Sequence, residues 1–103
     1  MKSQGIQKNV SKLRRQSEVV ANLLKQLSHP QRLLILCSLL EEEKSVGEIE
    51  DACGASQSAV SQFLKAMRLD GLIESRRDGK RVFYKITDER VHKLMKALFQ
   101  IFC

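Results

Sequence analysis

The sequence lacks a long hydrophobic run. Its most apolar stretch, Leu33-Leu34-Ile35-Leu36-Cys37-Ser38-Leu39-Leu40, falls far short of the about 20 residues that a membrane-spanning helix needs. The opening residues, Met1-Lys2-Ser3-Gln4-Gly5-Ile6-Gln7-Lys8, carry no apolar core of the kind a secretory signal requires. The expectation is a soluble, cytoplasmic protein with no membrane partner. Cysteine is scarce. Cys37, Cys53 and Cys103 are widely spaced, form no Cys-x-x-Cys and have no histidine at finger spacing. That excludes a disulfide scaffold and a structural zinc finger. Tryptophan is absent, and there are one proline and two histidines. No nucleophile–base pair, no carboxylate pair with a recognisable role and no phosphate-binding loop is present. An enzyme is therefore not expected, nor a cofactor.

What remains is one basic domain. The chain has 103 residues, 43% of them hydrophobic, which excludes a fully disordered chain, and carries a formal net charge of +6. Residues 1–15 hold Lys2, Lys8, Lys12, Arg14 and Arg15 and no acid. Residues 65–85 hold Lys65, Arg68, Arg76, Arg77, Lys80, Arg81 and Lys85 against Asp70, Glu74 and Asp78. Between them, residues 41–51 hold Glu41, Glu42, Glu43, Glu48, Glu50 and Asp51 against Lys44. A nucleic acid would meet the two basic regions and avoid the acidic one.

Periodicity divides the chain further. Residues 1–9 read as a flexible basic arm and residues 10–103 as the folded domain. From Val10 a helical stripe runs through Leu13, Val20, Leu24 and Leu27. His29-Pro30 breaks it, and Pro30 suits the first turn of a second helix over about 30–41. Glu41 to Lys44 reads as a connection. Ser45 and Glu48 fit a capping box for a third helix ending near Cys53, with Gly54 as its stop. Ser56 caps a fourth helix that runs to about Asp70. After Gly71 the period falls to two. The runs 72–77 and 80–86 flank Asp78-Gly79, a hairpin signal that predicts a type I′ turn. Thr87 or Asp88 caps a last helix bearing Val91, Leu94, Met95, Leu98, Phe99 and Phe102.

The predicted fold is mainly α with a β-hairpin wing, in the order α-α-α-α-β-β-α. Two short helices joined by a tight turn, then a basic hairpin, make a winged helix-turn-helix. The second helix of the unit is capped by Ser56 and offers Gln57, Ser58, Ser61, Gln62 and Lys65 on its polar face. Hydroxyls and amides donate, accept and approach closely, which is what reading base edges requires. The wing tip, Arg76-Arg77-Asp78-Gly79-Lys80-Arg81, gathers cations that phosphates or a narrow minor groove would neutralise. These ten residues, Ser56 to Arg81, are the candidate DNA contacts. The last helix carries a wider apolar stripe than a small monomer covers, each residue worth roughly 1.5–3 kcal/mol on full burial. The first helix can supply the other wall of a two-fold dimer. Such a dimer would set two recognition helices about 34 Å apart, one turn of DNA.

Four segments together resemble the ArsR-type winged helix-turn-helix repressors. They are Leu27-Ser28-His29-Pro30-Gln31-Arg32-Leu33-Leu34-Ile35-Leu36, Ser45-Val46-Gly47-Glu48-Ile49, Ser56 to Lys65, and Leu69-Asp70-Gly71-Leu72-Ile73. The resemblance spans about residues 13–103. It implies a homodimer through the first and last helices, bound to double-stranded operator DNA, with Gln57, Ser58, Ser61 and Gln62 facing the major groove. Two metal sites of that family are incomplete here. The stretch Ser45 to Glu50 holds no thiol, and Asp88 and His92 are followed by Lys96, Phe99 and Gln100. No metal is expected, His92 reads as an exposed helix residue and His29 as a residue at a helix start. The placement of Cys37 and Cys103 is similar to that in the sulfide- and redox-responsive branch typified by BigR, SqrR and HlyU. That resemblance implies a redox switch in which the two thiols close to a disulfide or polysulfide when an oxidant or reactive sulfur species acts as inducer. Cys53 reads as a packing residue. The competing readings are a metal-responsive repressor of the same family and a winged-helix protein-interaction module that binds no DNA.

Overall fold

The computed structural model describes the backbone of residues 2–103 and the side chains of residues 8–103. Along the chain run α1 (Lys2–Leu27), α2 (Pro30–Ser38), β1 (Lys44–Ser45), α3 (Val46–Cys53), α4 (Gln57–Leu69), β2 (Ile73–Asp78), β3 (Arg81–Ile86) and α5 (Glu89–Phe102). The predicted order is present, with a two-residue strand added before α3. The three strands form an antiparallel sheet in the order β1-β3-β2.

Local chemistry places each boundary. His29 precedes α2, and its Nδ1 accepts the Gln31 amide at 3.1 Å, with Pro30 in the first turn. The Ser45 hydroxyl accepts the Glu48 amide at 3.3 Å, while Glu48 Oε1 accepts the Ser45 amide at 3.1 Å. This reciprocal pair satisfies two amides that a helix start leaves open. Gly54, at φ +65°, stops α3 in the left-handed region that a side chain would resist. Ser56 caps α4 through the Ala59 amide, and Asp88 caps α5 through those of Arg90 and Val91. Ser45 is buried and its hydroxyl also accepts the Arg81 guanidinium at 3.2 Å. Ser45→Ala therefore removes a cap and a tether to the hairpin. It is expected to cost about 0.5–2 kcal/mol, seen as a lower urea midpoint with an unchanged m value.

The core joins α2, α3, α4 and α5. Ile35, Leu36, Ile49, Val60, Leu64, Met67, Leu72, Ile73 and Val91 are almost completely buried, with Leu27 and Met95 at the edge. The inner face of α4 is thereby fixed and its outer face free.

The structure differs from the sequence reading in four places. Met1 and the side chains of residues 2–7, within the arm expected over 1–9, lie outside the described residues. The described backbone is helical from Lys2 and not only from Val10, since no proline interrupts the stretch and the single Gly5 costs only about 1 kcal/mol. α2 ends at Ser38 and not near 41. The connection Glu41 to Lys44 ends in β1, where Lys44 and Ser45 pair with Tyr84 and Phe83. In the hairpin Asp78 pairs with Arg81, so the loop is Gly79-Lys80. Of these two residues only Gly79 has a positive φ, +64°. A turn with one left-handed residue at its first central position replaces the type I′ turn.

Candidate nucleic-acid interface

Helix α4 divides cleanly. Val60, Leu64 and Met67 are buried, and Gln57, Ser58, Ser61, Gln62 and Lys65 are all exposed. Ser56 is exposed too, but its hydroxyl is engaged at 3.4 Å by the Ala59 amide. Arg68 donates to the Ser75 hydroxyl at 3.5 Å and ties α4 to the hairpin.

The wing cations are not equivalent. Residues opposite one another in an antiparallel ladder share a face, and successive residues alternate. The register Ser45–Phe83–Arg76 therefore puts these residues and Arg81 on one face. There the Arg76 guanidinium grips the Glu43 carboxylate, with Nε to Oε2 at 2.9 Å. Arg81 reaches Glu48 at 3.4 Å, and both guanidiniums lie over the Phe83 ring, 4.8 and 5.0 Å from its centre. Lys85 pairs with Glu74 across the strands at 3.1 Å. The Arg76 hydrogen bonds hold the Glu43 carboxyl below the usual carboxylate range, and those from Ser45 do the same for Glu48. A depressed carboxyl keeps its pairing at neutral pH and loses it only as acid protonates it. Arg77 occupies the other face and Lys80 the turn. Among the described residues these two, and Lys65, make no ion pair. The structure thus brings the acidic segment against the wing instead of keeping it apart. Arg76 and Arg81, two of the candidate contacts, are engaged with acids that sequence distance hid.

The second candidate site lies between α2 and α5. Cys37 is half-buried on α2, and Cys103 is exposed one turn beyond Phe99, its amide donating to the Phe99 carbonyl at 2.8 Å. Burial, and then the nearby Cys103, push the Cys37 thiol up. Cys53 is pushed up by its own burial and then by Cys37. A cavity of about 480 Å³ opens beside Cys37, lined among others by Leu40, Lys44, His92, Lys96 and Phe99. His92, read as exposed, is half-buried, and its Nε2 lies 3.0 Å from the Leu40 carbonyl. A carbonyl only accepts, so Nε2 carries the proton. Asp88 is taken up by the α5 cap and by Arg90 at 2.9 Å. Among the described residues no three His, Cys, Asp or Glu side chains converge on a metal-sized site, and no helix is long and apolar enough to cross a membrane.

One further surface remains. Val10, Leu13, Val19 and Leu24 on α1, and Phe99, Ile101 and Phe102 on α5, are each about half exposed or more.

Comparison with known proteins adds four findings. The family described as "Bacterial regulatory protein, arsR family" matches residues 29–75. A biofilm growth-associated repressor of Xylella fastidiosa is 45% identical over 91 residues, which are 88% of this chain and 80% of that protein. The crystal structure of the transcriptional repressor BigR from Xylella fastidiosa superposes with a TM-score of 0.85 at 44% identity, covering 90% of this chain and 95% of that one. Reduced HlyU from Vibrio cholerae superposes with a TM-score of 0.83 at 37% identity, covering 89% and 97%.

Proposed function

Because the chain belongs to the ArsR family of bacterial transcriptional regulators, we propose that it acts as a homodimer on operator DNA, with an affinity set by the Cys37/Cys103 dithiol. The observation that carries the DNA reading is the outer face of α4. Gln57, Ser58, Ser61 and Gln62 are exposed there on a helix whose other side is locked in the core. Amides and hydroxyls held this rigidly can form paired hydrogen bonds with base edges in a major groove. Lys65, Arg77 and Lys80 supply phosphate contacts or enter the minor groove. Arg76 and Arg81 brace the wing through Glu43 and Glu48, and reach DNA only by exchanging those acids for phosphates. Residues 10–103 serve as the DNA-binding and dimerisation domain, the exposed apolar faces of α1 and α5 meeting those of a second copy. The similarity to a repressor favours DNA binding over a protein-interaction module.

The switch reading rests on Cys37 in the lining of the α2–α5 cavity, on Cys103 close enough to act on its thiol, and on similarity to reduced HlyU. With a persulfide, the Cys37 thiolate attacks the terminal sulfur, forming Cys37–S–SH as the carrier leaves as a thiolate. The Cys103 thiolate then attacks Cys37 Sγ, the Sγ–S bond breaks, and hydrosulfide leaves with the electron pair. With a peroxide, Cys37 becomes a sulfenic acid, and Cys103 displaces water. Either bridge pins α2 to α5, shifts the dimer and misplaces α4. A bridge that retains extra sulfur atoms spans more distance than a disulfide.

Duplex binding by the reduced protein, followed by fluorescence anisotropy between about 50 and 200 mM salt, tests the DNA reading. A steep fall in affinity with salt is expected, and indifference to salt contradicts it. Glu43→Gln frees Arg76, and is expected to steepen the slope by about 0.9 for each additional phosphate that the guanidinium neutralises.

A further inference from the structure

We infer that the cavity beside Cys37 is a recognition site for the carboxylate end of the organic disulfide or persulfide that reacts with that thiol, with Lys96 holding the anion. This rests on the dithiol reading, and adds to it the kind of carrier the protein selects. The first ground is size. Hydrosulfide or peroxide is about as large as one water molecule, which takes up about 30 Å³ in the liquid. A cavity of about 480 Å³ lies in the range that encloses a small organic molecule. The second is charge. Lys44 and Lys96 line it against the single carboxylate of Glu41. Lys44 is engaged by Glu42 at 3.5 Å, whereas Lys96 makes no ion pair among the described residues. The His92 ring is tied to the Leu40 carbonyl through a protonated Nε2, so it offers the cavity no free donor there. The third is polarity. Phe99 and Leu40 give an apolar wall for the carrier's body, and Cys37 stands in the same lining. A donor seated with its carboxylate on Lys96 therefore lies within the cavity that also holds the attacking sulfur.

Two aromatic disulfides separate the possibilities: dithiobis(nitrobenzoate), a dianion, and dithiodipyridine, which is neutral. With each, the Cys37 thiolate attacks one sulfur, a mixed disulfide forms, and the aromatic thiolate leaves with the electron pair of the broken S–S bond. The reaction is run on the Cys103→Ser protein, so that the mixed disulfide persists, and labelling of Cys37 is followed by peptide mass spectrometry. Lys96→Gln is expected to slow labelling by the dianion about fivefold, the upper end of what one exposed ion pair contributes, and to leave the neutral probe unchanged. Lys96 is exposed on α5, so its replacement leaves the core intact. Lys93→Gln, on the same helix but paired with Glu89 at 3.7 Å, is expected to change neither rate. If Lys96→Gln slows both probes alike, or neither, the cavity does not select anions and the inference is overturned. A Cys37 that neither probe labels in the folded protein removes the thiol switch itself.

Discussion

Replacing Cys37 or Cys103 with serine is expected to leave the reduced protein's affinity for duplex DNA unchanged and to abolish its loss on treatment with peroxide or polysulfide. Both substitutions are small. Cys103 is exposed, and Cys37 borders a cavity large enough to hydrate a hydroxyl. Neither residue lies on the outer face of α4 or on the wing, so the DNA surface is untouched. The loss has to vanish in either variant because a bridge needs both sulfurs. To act as a switch the bridge must lower affinity by at least tenfold, about 1.4 kcal/mol. Cys53→Ser is the control. Cys53 packs against the core at the end of α3, and its removal is expected to leave the treated wild-type response in place. Anisotropy before and after treatment, paired with intact mass, reads both the affinity and the bridge. A Cys103→Ser protein that still releases DNA on treatment would refute the two-thiol account.

The double substitution Arg77→Ala with Lys80→Ala has the largest expected effect on DNA binding itself. These are the wing cations without an ion-pair partner among the described residues. A dimer would lose four of them. At about 0.9 per phosphate, the slope of log affinity against log salt would flatten by about 3.6. Arg76→Ala is expected to act differently. It leaves the Glu43 carboxylate without its guanidinium and removes one of the two guanidiniums over the Phe83 ring, so its first effect falls on the wing's stability. If the double variant keeps the wild-type slope, the wing does not touch phosphate.

Elements set by neighbours in sequence were legible in advance. The Ser45–Glu48 box, the left-handed Gly54, the Ser56 cap and the Asp88 cap each involve residues within one helical turn. The exposed face of α4 was legible for the same reason, since its buried side follows from apolar spacing. Features set by distant partners were not. Two residues, Lys44 and Ser45, become a strand only because β3 offers a free edge. Arg76 finds Glu43, and Arg81 finds Glu48, across 33 positions, and His92 finds the Leu40 carbonyl across 52. One clue was in view: an acidic block and a basic wing in one small domain are complementary as well as repelled by opposite partners. The turn register escaped because Asp78 reads equally well as a turn residue and as the last rung of a strand. The cavity beside Cys37 depends on how α5 lies against α2, which no local pattern encodes.

Selection from a pool of random duplexes by the reduced protein puts the central claim to its most direct test. Sequences carrying an imperfect inverted repeat, with half-sites about one helical turn apart between their centres, should dominate the recovered pool. A pool that returns no shared sequence, or a single unrepeated site, would contradict a two-fold dimer reading DNA through α4.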